Sequence, residues 1–511
     1  MQQANNTYSI VMMVFLASTI QEVLEPIQEV IDEQAEALKQ LVARFYAEPI
    51  TPALVLEFEQ ALGEIGRETS RRILEIVLNR CDPESAEDAP HDVTFEAGGY
   101  RRLNQKTRNA HVDSTFGRIT LWRRGYRYWH RGEKEPTIFP LELILGLWEG
   151  ATPLLASQIG RMMAETGATQ QRVLEQLKER FGVSLSVARL RAITEALSTA
   201  MEEYREEYQV AKLLELLEKA YRSPGRYKPV FSVGRDGINM PVERGGGYLQ
   251  GAVATVSVSD RRGRRLGTVY LAHAPEPYQT TLTEQLTALI QACLQAWCCE
   301  RGRPMPRLCY VTDAGETECG YYAKVLTRLA DPRGNGQRLH WYRIIDFYHA
   351  SQRLTVLGEA LFGPGAEASS WARRMRKILK EEPNGVSRVL HSAAAFRSRY
   401  GVQPGREAEF ALAYNYLRSR SRHMNYAEFR RLRMPIGSGV TEAACKTVFT
   451  ERLKLSGMGW SLEGAQVILT LRVILLSGVW DGVYAAVLKG RNPVNLRTYA
   501  NVTSDQPPIA A

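Results

Sequence analysis

The chain has 511 residues, of which 44% are hydrophobic and 24% charged, the balance of a soluble globular protein rather than a collagen-like, disordered or membrane-embedded one. Its 65 Lys and Arg exceed its 56 Asp and Glu, and its seven scattered cysteines lack metal-ligand spacing. This excludes a disulfide framework and a structural zinc site.

The positive excess is unevenly spread. Residues 1–100 hold 6 Lys/Arg against 18 Asp/Glu, residues 101–131 hold 9 against 1, and residues 371–433 hold 15 against 5. Separate basic surfaces of this kind suit a polyanion, and nucleic acid is the expected partner. The apolar run at 10–17 has no preceding Lys or Arg. It is too short to span a bilayer and lacks the basic start of a signal peptide, so it reads as a buried strand or helix start. The expectation is a cytoplasmic protein with no membrane partner.

Residues 1–92 read as helical and acidic, a region for pairing or oligomerisation, with two long helical patterns before an acidic, Pro-containing linker at 81–92. Residues 93–150 form a small β-rich basic region with a hairpin signal at Gly117. Arginines there interleave with Trp122, Tyr126, Tyr128 and Trp129, a mixture suited to phosphates and bases. A small sheet with a cationic face fits equally well. Residues 151–222 return to helix, with a turn at Gly182, Ser184 as N-cap and a second helix bearing Arg189 and Arg191. That spacing predicts a helix-turn-helix whose second helix reads a major groove, although an ordinary pair of antiparallel helices has the same spacing.

From residue 223 three β-prone runs follow one another, and then helix and strand alternate as far as residue 349. This is the order of an RNase-H-like α/β core. Residues 350–434 are an all-α insertion bearing Arg373, Arg374, Arg376 and Lys377. The core resumes over 435–485, and 486–511 is a tail. The expected fold class is therefore multidomain α+β.

Asp236 falls near the centre of the first strand of this core and Asp313 at the end of the fourth. The segment PIGSGVTEAACKT sets Glu442 in the first turn of a helix after a glycine-containing loop. Each residue alone has an ordinary structural explanation. Together they offer three carboxylates from three elements, separated by 77 and 129 residues. Such a cluster needs cations to neutralise it, and two Mg²⁺ ions would also serve phosphodiester chemistry.

The strand order, Asp236, Asp313, the DFYHA stretch at 346–350, the helical insertion and Gly437-Ser438-Gly439 followed by Glu442 resemble the DDE transposases of bacterial insertion sequences. The tail Arg452-Leu453-Lys454, Ser456-Gly457-Met458 and Trp460 resembles the ISKra-type group in particular. The resemblance covers roughly residues 95–480 and is most specific in this tail and the DFYHA stretch. It implies a catalytic, metal-binding triad of Asp236, Asp313 and Glu442 that holds two Mg²⁺ or Mn²⁺ ions. It also implies a supporting pair, Asp346 and His349, with His349 orienting a phosphate or the Asp346 carboxylate rather than ligating metal.

The implied activity is metal-dependent cleavage and strand transfer at element ends by a homo-oligomer bound to double-stranded DNA. Arg189, Arg191, Arg373, Arg374, Arg376, Lys377, Lys446, Arg452 and Lys454 are the expected DNA contacts. Two alternatives are a catalytically inactive DNA-binding derivative and an RNase-H-like nuclease without strand transfer. Relatives in the group carry paired cysteines near residues 95–131. This chain has none there, so a zinc-bound module is not carried over.

Overall fold

The computed structural model describes residues 20–95, 98–129, 136–243, 247–491 and 497–498. The apolar run at 10–17 and almost all of the tail beyond 491 lie outside the described residues. The chain is a mixed α+β protein. It divides into two compact units, one comprising residues up to 163, 168–200 and those from 484 on, the other 164–167 and 201–483.

In the first unit, α1 (Ile20–Ala47) and α2 (Pro52–Asn79) pair as a helical hairpin. Thr51 caps α2 by accepting a hydrogen bond from the Leu54 amide at 3.2 Å, and Pro52 takes the first turn, where its missing N–H is not needed. Strands β1 (Asp92–Phe95), β2 (Gly98–Ser114), β3 (Gly117–Tyr128) and β9 (Arg497–Thr498) form an antiparallel sheet in the order β3-β2-β1-β9. Asn79, at the end of α2, ties this helix to β3. Its side chain donates to the Thr120 carbonyl at 2.8 Å and accepts from the Trp122 amide at 2.7 Å.

Residues 81–92 are not a free linker. Asp82 is buried and accepts the Arg124 amide at 2.7 Å, while the Arg124 guanidinium binds the Glu84 carbonyl at 3.0 Å. Arg102 binds the carbonyls of Ala86 and Ala89, and the Tyr126 hydroxyl binds that of Pro90 at 2.9 Å. The segment has carbonyls that no sheet or helix satisfies, and the nearby arginines supply the donors. Two of the arginines expected to face phosphates are thereby turned inward. Arg101, Arg108 and Arg127 remain exposed, with Trp122 and Trp129.

Short α3 (Pro140–Ile144) and α4 (Pro153–Ala164) precede α5 (Gln170–Phe181), which ends on Gly182 in the left-handed region at φ 66°. The next helix is capped by Ser186, not Ser184: its hydroxyl accepts the Arg189 amide at 3.2 Å. That helix, α6, runs over Val187–Arg222, 36 residues. No Gly or Pro interrupts it, and apolar positions recur along it, Leu190, Ile193, Leu197 and Met201 first and Leu213, Leu217 and Ala220 later. It is far longer than the compact second helix expected of a helix-turn-helix.

The second unit is built on a five-stranded sheet in the order β6-β5-β4-β7-β8. β4 (Val230–Pro241), β5 (Tyr248–Ser259) and β6 (Arg265–His273) form an antiparallel meander. The β5–β6 turn is held by Asp260 Oδ1, which accepts the amides of Arg262 and Arg264 at 2.8 Å each. β7 (Arg307–Thr312) and β8 (Trp341–Ile345) add in parallel on the other side of β4.

Side chains alternate across β4. Phe231 and Val233 join a core with α7 (Thr280–Gln295) and α8 (Glu316–Lys324). The opposite face, through Val230, Cys309, Val311, Ile344 and Ile345, packs on α9 (Phe347–Phe362), α10 (Ala366–Glu381), α11 (Gly385–Tyr400), α12 (Glu407–Arg420) and α13 (Tyr426–Arg431). The segment read as an insertion therefore shares a hydrophobic core with the sheet. After it come α14 (Gly439–Ala444), a wide π-helical turn over Cys445–Thr450, α15 (Glu451–Leu453), α16 (Leu462–Leu476) and α17 (Trp480–Arg491). Among the described residues no single helix is long and apolar enough to cross a membrane.

Candidate active site

Asp236 lies mid-strand on β4, on the face shared with Gly234. Gly234 has no side chain because Thr441 of α14 occupies that space, its Cβ 3.2 Å from where a Gly234 Cβ would stand. The Thr441 hydroxyl is 2.8 Å from that of Thr255 on β5, and both are buried. This contact seats the first turn of α14 on the sheet, and Glu442 is the next residue. Past Glu442, the Cys445 thiol donates to Asp236 Oδ2 at 3.4 Å.

Asp313 arrives from the other side. β4 and β7 are parallel and paired as far as Gly234 opposite Val311, and Asp313 follows directly after β7 ends at Thr312. It is followed by Ala314 at φ 75°, a left-handed conformation costly for a residue with a Cβ and of a kind concentrated at functional sites. The Asp313 Oδ1 accepts the Gly315 amide at 3.0 Å, and its carbonyl accepts the Tyr416 hydroxyl at 3.1 Å.

The charges of Asp313 and Glu442 reach Asp236. Burial raises the Asp236 carboxyl above its usual value, and the charges of Asp313 and Glu442 raise it further, against hydrogen bonds from Cys445 and Gly237. Among the described residues neither Asp236 nor Asp313 forms an ion pair with a Lys or Arg. A set of carboxylates with no internal cation matches the oxygen donors that Mg²⁺ and Mn²⁺ prefer.

On its far side Glu442 meets a second group. Asp346 is fully buried and caps α9, accepting the His349 amide on Oδ1 at 2.8 Å. Its Oδ2 accepts from the Ser438 amide and lies 2.8 Å from the Ser438 hydroxyl. The same hydroxyl is 2.6 Å from Glu442 Oε1, and His349 Nε2 is 3.4 Å from that oxygen. Gly437 fits because a Cβ there would come within 2.9 Å of Tyr348 and 3.3 Å of Asp346.

Asp346, His349 and Glu442 can each turn one ligand atom to within 4.8 Å of the others. Donors from Ser438 and His349 already meet both Asp346 oxygens, which suits Asp346 to positioning Ser438 and the loop before Glu442. Among the described residues this is the one group of three such ligands, and Asp236 and Asp313 lie outside it.

Two residues near the site went unread in the sequence. Arg235 is 2% exposed and points to the face opposite Asp236, where it donates to the Gln279 side chain at 2.9 Å and to Thr283 at 2.8 Å and lies over the Tyr321 ring. Glu318 on α8 is buried. Burial raises its carboxyl, with Asp313 and Asp236 contributing and Arg235 opposing. The Arg-Asp-Gly tripeptide was the only available signal for Arg235, and nothing in the sequence marked Glu318.

The residues expected to grip DNA have different fates. Arg373, Arg374 and Lys377 are exposed on α10, whereas Arg376 is half-buried and donates to Thr355 at 2.6 Å. Lys446 is exposed, and Lys454 is half-buried. Arg452 is a correction. It is 1% exposed and lies over Trp460, with its guanidinium lowered to about 10 by burial and then by Arg472.

Arg189 is a second correction. Its three guanidinium nitrogens are engaged within the first unit, with Asp113 at 2.6 Å and the carbonyls of Glu149 and His111 at 2.8 Å each. Arg191 is exposed and reaches Gln170 at 3.1 Å. A comparison with protein-family models finds no match to this chain, and a comparison with curated proteins finds none either.

Proposed function

We propose that this protein is a DDE-type transposase with an RNase-H-like catalytic core, which cuts DNA at the ends of a mobile element and joins the freed 3′-hydroxyl to a target. The observation that carries the reading is that Asp236 on β4, Asp313 just past the end of the neighbouring parallel β7, and Glu442 on α14, whose first turn Thr441 ties to Thr255, come close enough for the charges of Asp313 and Glu442 to act on Asp236. The strand order β6-β5-β4-β7-β8 supports the core assignment.

Asp236, Asp313 and Glu442 would hold two Mg²⁺ or Mn²⁺ ions. Bound there, such ions activate a water or a 3′-hydroxyl and stabilise the leaving oxygen of a phosphodiester. The protein's own part is positional. The Ser438 hydroxyl and His349 flank the Glu442 carboxylate, and the buried Asp346 holds Ser438 through its amide. Exposed Arg373, Arg374 and Lys377 supply phosphate contacts to double-stranded DNA. The working form is a homo-oligomer at the bacterial nucleoid.

The test is a Mg²⁺- or Mn²⁺-dependent nicking assay on DNA carrying the sequences that flank the coding region, beside a binding assay on the same DNA. Glu442→Gln, Asp236→Asn and Asp313→Asn should each bind DNA like the parent and lose nicking by about a hundredfold or more, because the three act as one unit. Full nicking in folded Glu442→Gln would overturn the mechanism. Nicking without joined products would reduce the activity to hydrolysis.

A further inference from the structure

Helix α1 carries an apolar surface wider than its hairpin partner covers. The side turned to α2 includes Val30, the one buried residue of α1, and Phe45, whose ring lies 4.7 Å from that of Phe58. Beside it Ile20, Leu24, Ile31, Leu38 and Val42 are between 37% and 76% exposed. At 100° per residue these five fall within about 40° of one another on the helix, a single stripe roughly 33 Å long.

From Ile20 to Val42 the five members are 4, 7, 7 and 4 residues apart, a run symmetric about Ile31, with exposed Tyr46 beyond its C-terminal end. A second copy of α1 laid antiparallel about a two-fold axis at Ile31 sets Leu24 against the partner's Leu38 and Ile20 against the partner's Val42. Ile31 meets its own counterpart. An isologous interface requires self-complementarity of this kind, and the sevenfold spacing is that of a coiled-coil seam.

Charge favours the antiparallel direction. In a parallel pair Lys39 stands 14 residues, about 21 Å along the axis, from the partner's Glu25. The antiparallel pair brings Lys39 level with the partner's residues 21–25, on the same side of the seam as the partner's Glu25, twice by symmetry. Within one chain Lys39 has only an exposed contact with Glu36 at 3.3 Å, the kind of pair that contributes little. We propose that α1 is a homodimerisation element, pairing antiparallel with α1 of a second copy of this chain through the Ile20–Leu24–Ile31–Leu38–Val42 stripe. The inference is independent of the chemistry proposed above.

The experiment uses the full chain. Light scattering after size exclusion should give twice the monomer mass for the parent and the monomer mass for Ile31→Glu, with unchanged helical circular dichroism because position 31 is exposed. Under oxidation Ile31→Cys should link to itself. Leu24→Cys should not, since antiparallel pairing holds its two copies about 21 Å apart, far beyond disulfide reach. Leu24→Cys mixed with Leu38→Cys should form the mixed dimer, with the parent as the control for native cysteines.

Self-linking of Leu24→Cys would overturn the antiparallel arrangement. A monomeric parent, or an Ile31→Glu variant that stays dimeric, would overturn the interface. So would a parent that becomes dimeric only when residues 1–19 are deleted, because the chain's own N-terminal segment would then be what covers the stripe.

Discussion

Replacing Arg189 by Ala distinguishes a base-reading arginine from a structural one. The side chain gives a 2.6 Å ion pair to Asp113, whose side chain is almost completely buried, and two hydrogen bonds of 2.8 Å to the carbonyls of Glu149 and His111. Removing one partner of a buried pair costs about 3–5 kcal/mol, since a charge is left in a site built for two. Asp113 keeps a second cation, Arg118 at 3.0 Å, which places Arg189→Ala near the lower end, about 3 kcal/mol. For a unit of this size that is a fall in Tm on the order of 10 °C.

Lys should rescue little, because an ammonium cannot donate along the three directions of the guanidinium fork. Arg191→Ala, at an exposed position with one contact to Gln170, should stay within about 0.5 kcal/mol of the parent. Thermal and urea unfolding of the three variants, beside their affinity for element-end and random DNA, measure both properties. An Arg189→Ala protein that unfolds like the parent but loses its preference for element ends would refute the reasoning and restore Arg189 as a reader of bases.

Two further outcomes follow from the second unit. The Asp236 carboxyl is raised above its unfolded value by burial and by Asp313. The stability associated with its bound proton is therefore fully present below the unfolded value of 3.8 and is lost as pH rises through the folded value. Urea unfolding in EDTA across this range should show the parent losing stability with rising pH, and Asp236→Asn should remove that component; an identical pH slope in the two proteins would contradict the assignment. Replacing Arg373, Arg374, Arg376 and Lys377 together by Ala should weaken binding to all DNA sequences. It should also lower the slope of log affinity against log salt by roughly three rather than four, because Arg376 is tied to Thr355, and an unchanged slope would remove α10 from the DNA surface.

Much of the local structure could be read from the sequence because its causes are local. Thr51-Pro52 marks a helix start and Gly182 a helix stop, since a capping hydroxyl, a missing N–H and a left-handed backbone act within one turn. The three runs that became β4, β5 and β6 were legible from their β-prone composition, and the turn between the last two from Asp260 and Gly263. Charge counting misplaced four of the arginines. Local sequence shows how many cations a segment carries, but not which carbonyl or carboxylate each will meet. Arg102 and Arg124 turn to the carbonyls of residues 81–92, Arg189 turns to Asp113, and Arg452 is buried.

The sequence by itself determined the mixed α+β fold class, the helix and strand runs described above, and the three carboxylates as candidates at β4, after β7 and on α14. It could do so because periodicity, caps and turn residues are written within a few positions of where they act. Only the tertiary structure decided that the strand carrying Asp236 and the strand leading to Asp313 are neighbours. That depends on the parallel pairing of two strands whose paired segments begin at Val230 and Arg307. The seating of Glu442 likewise depends on Thr441 filling the space left by Gly234, and the support behind it on Ser438 meeting Asp346 across 92 residues. Such pairings are chosen by the packing of a whole sheet and its covering helices, and no local run of residues encodes them.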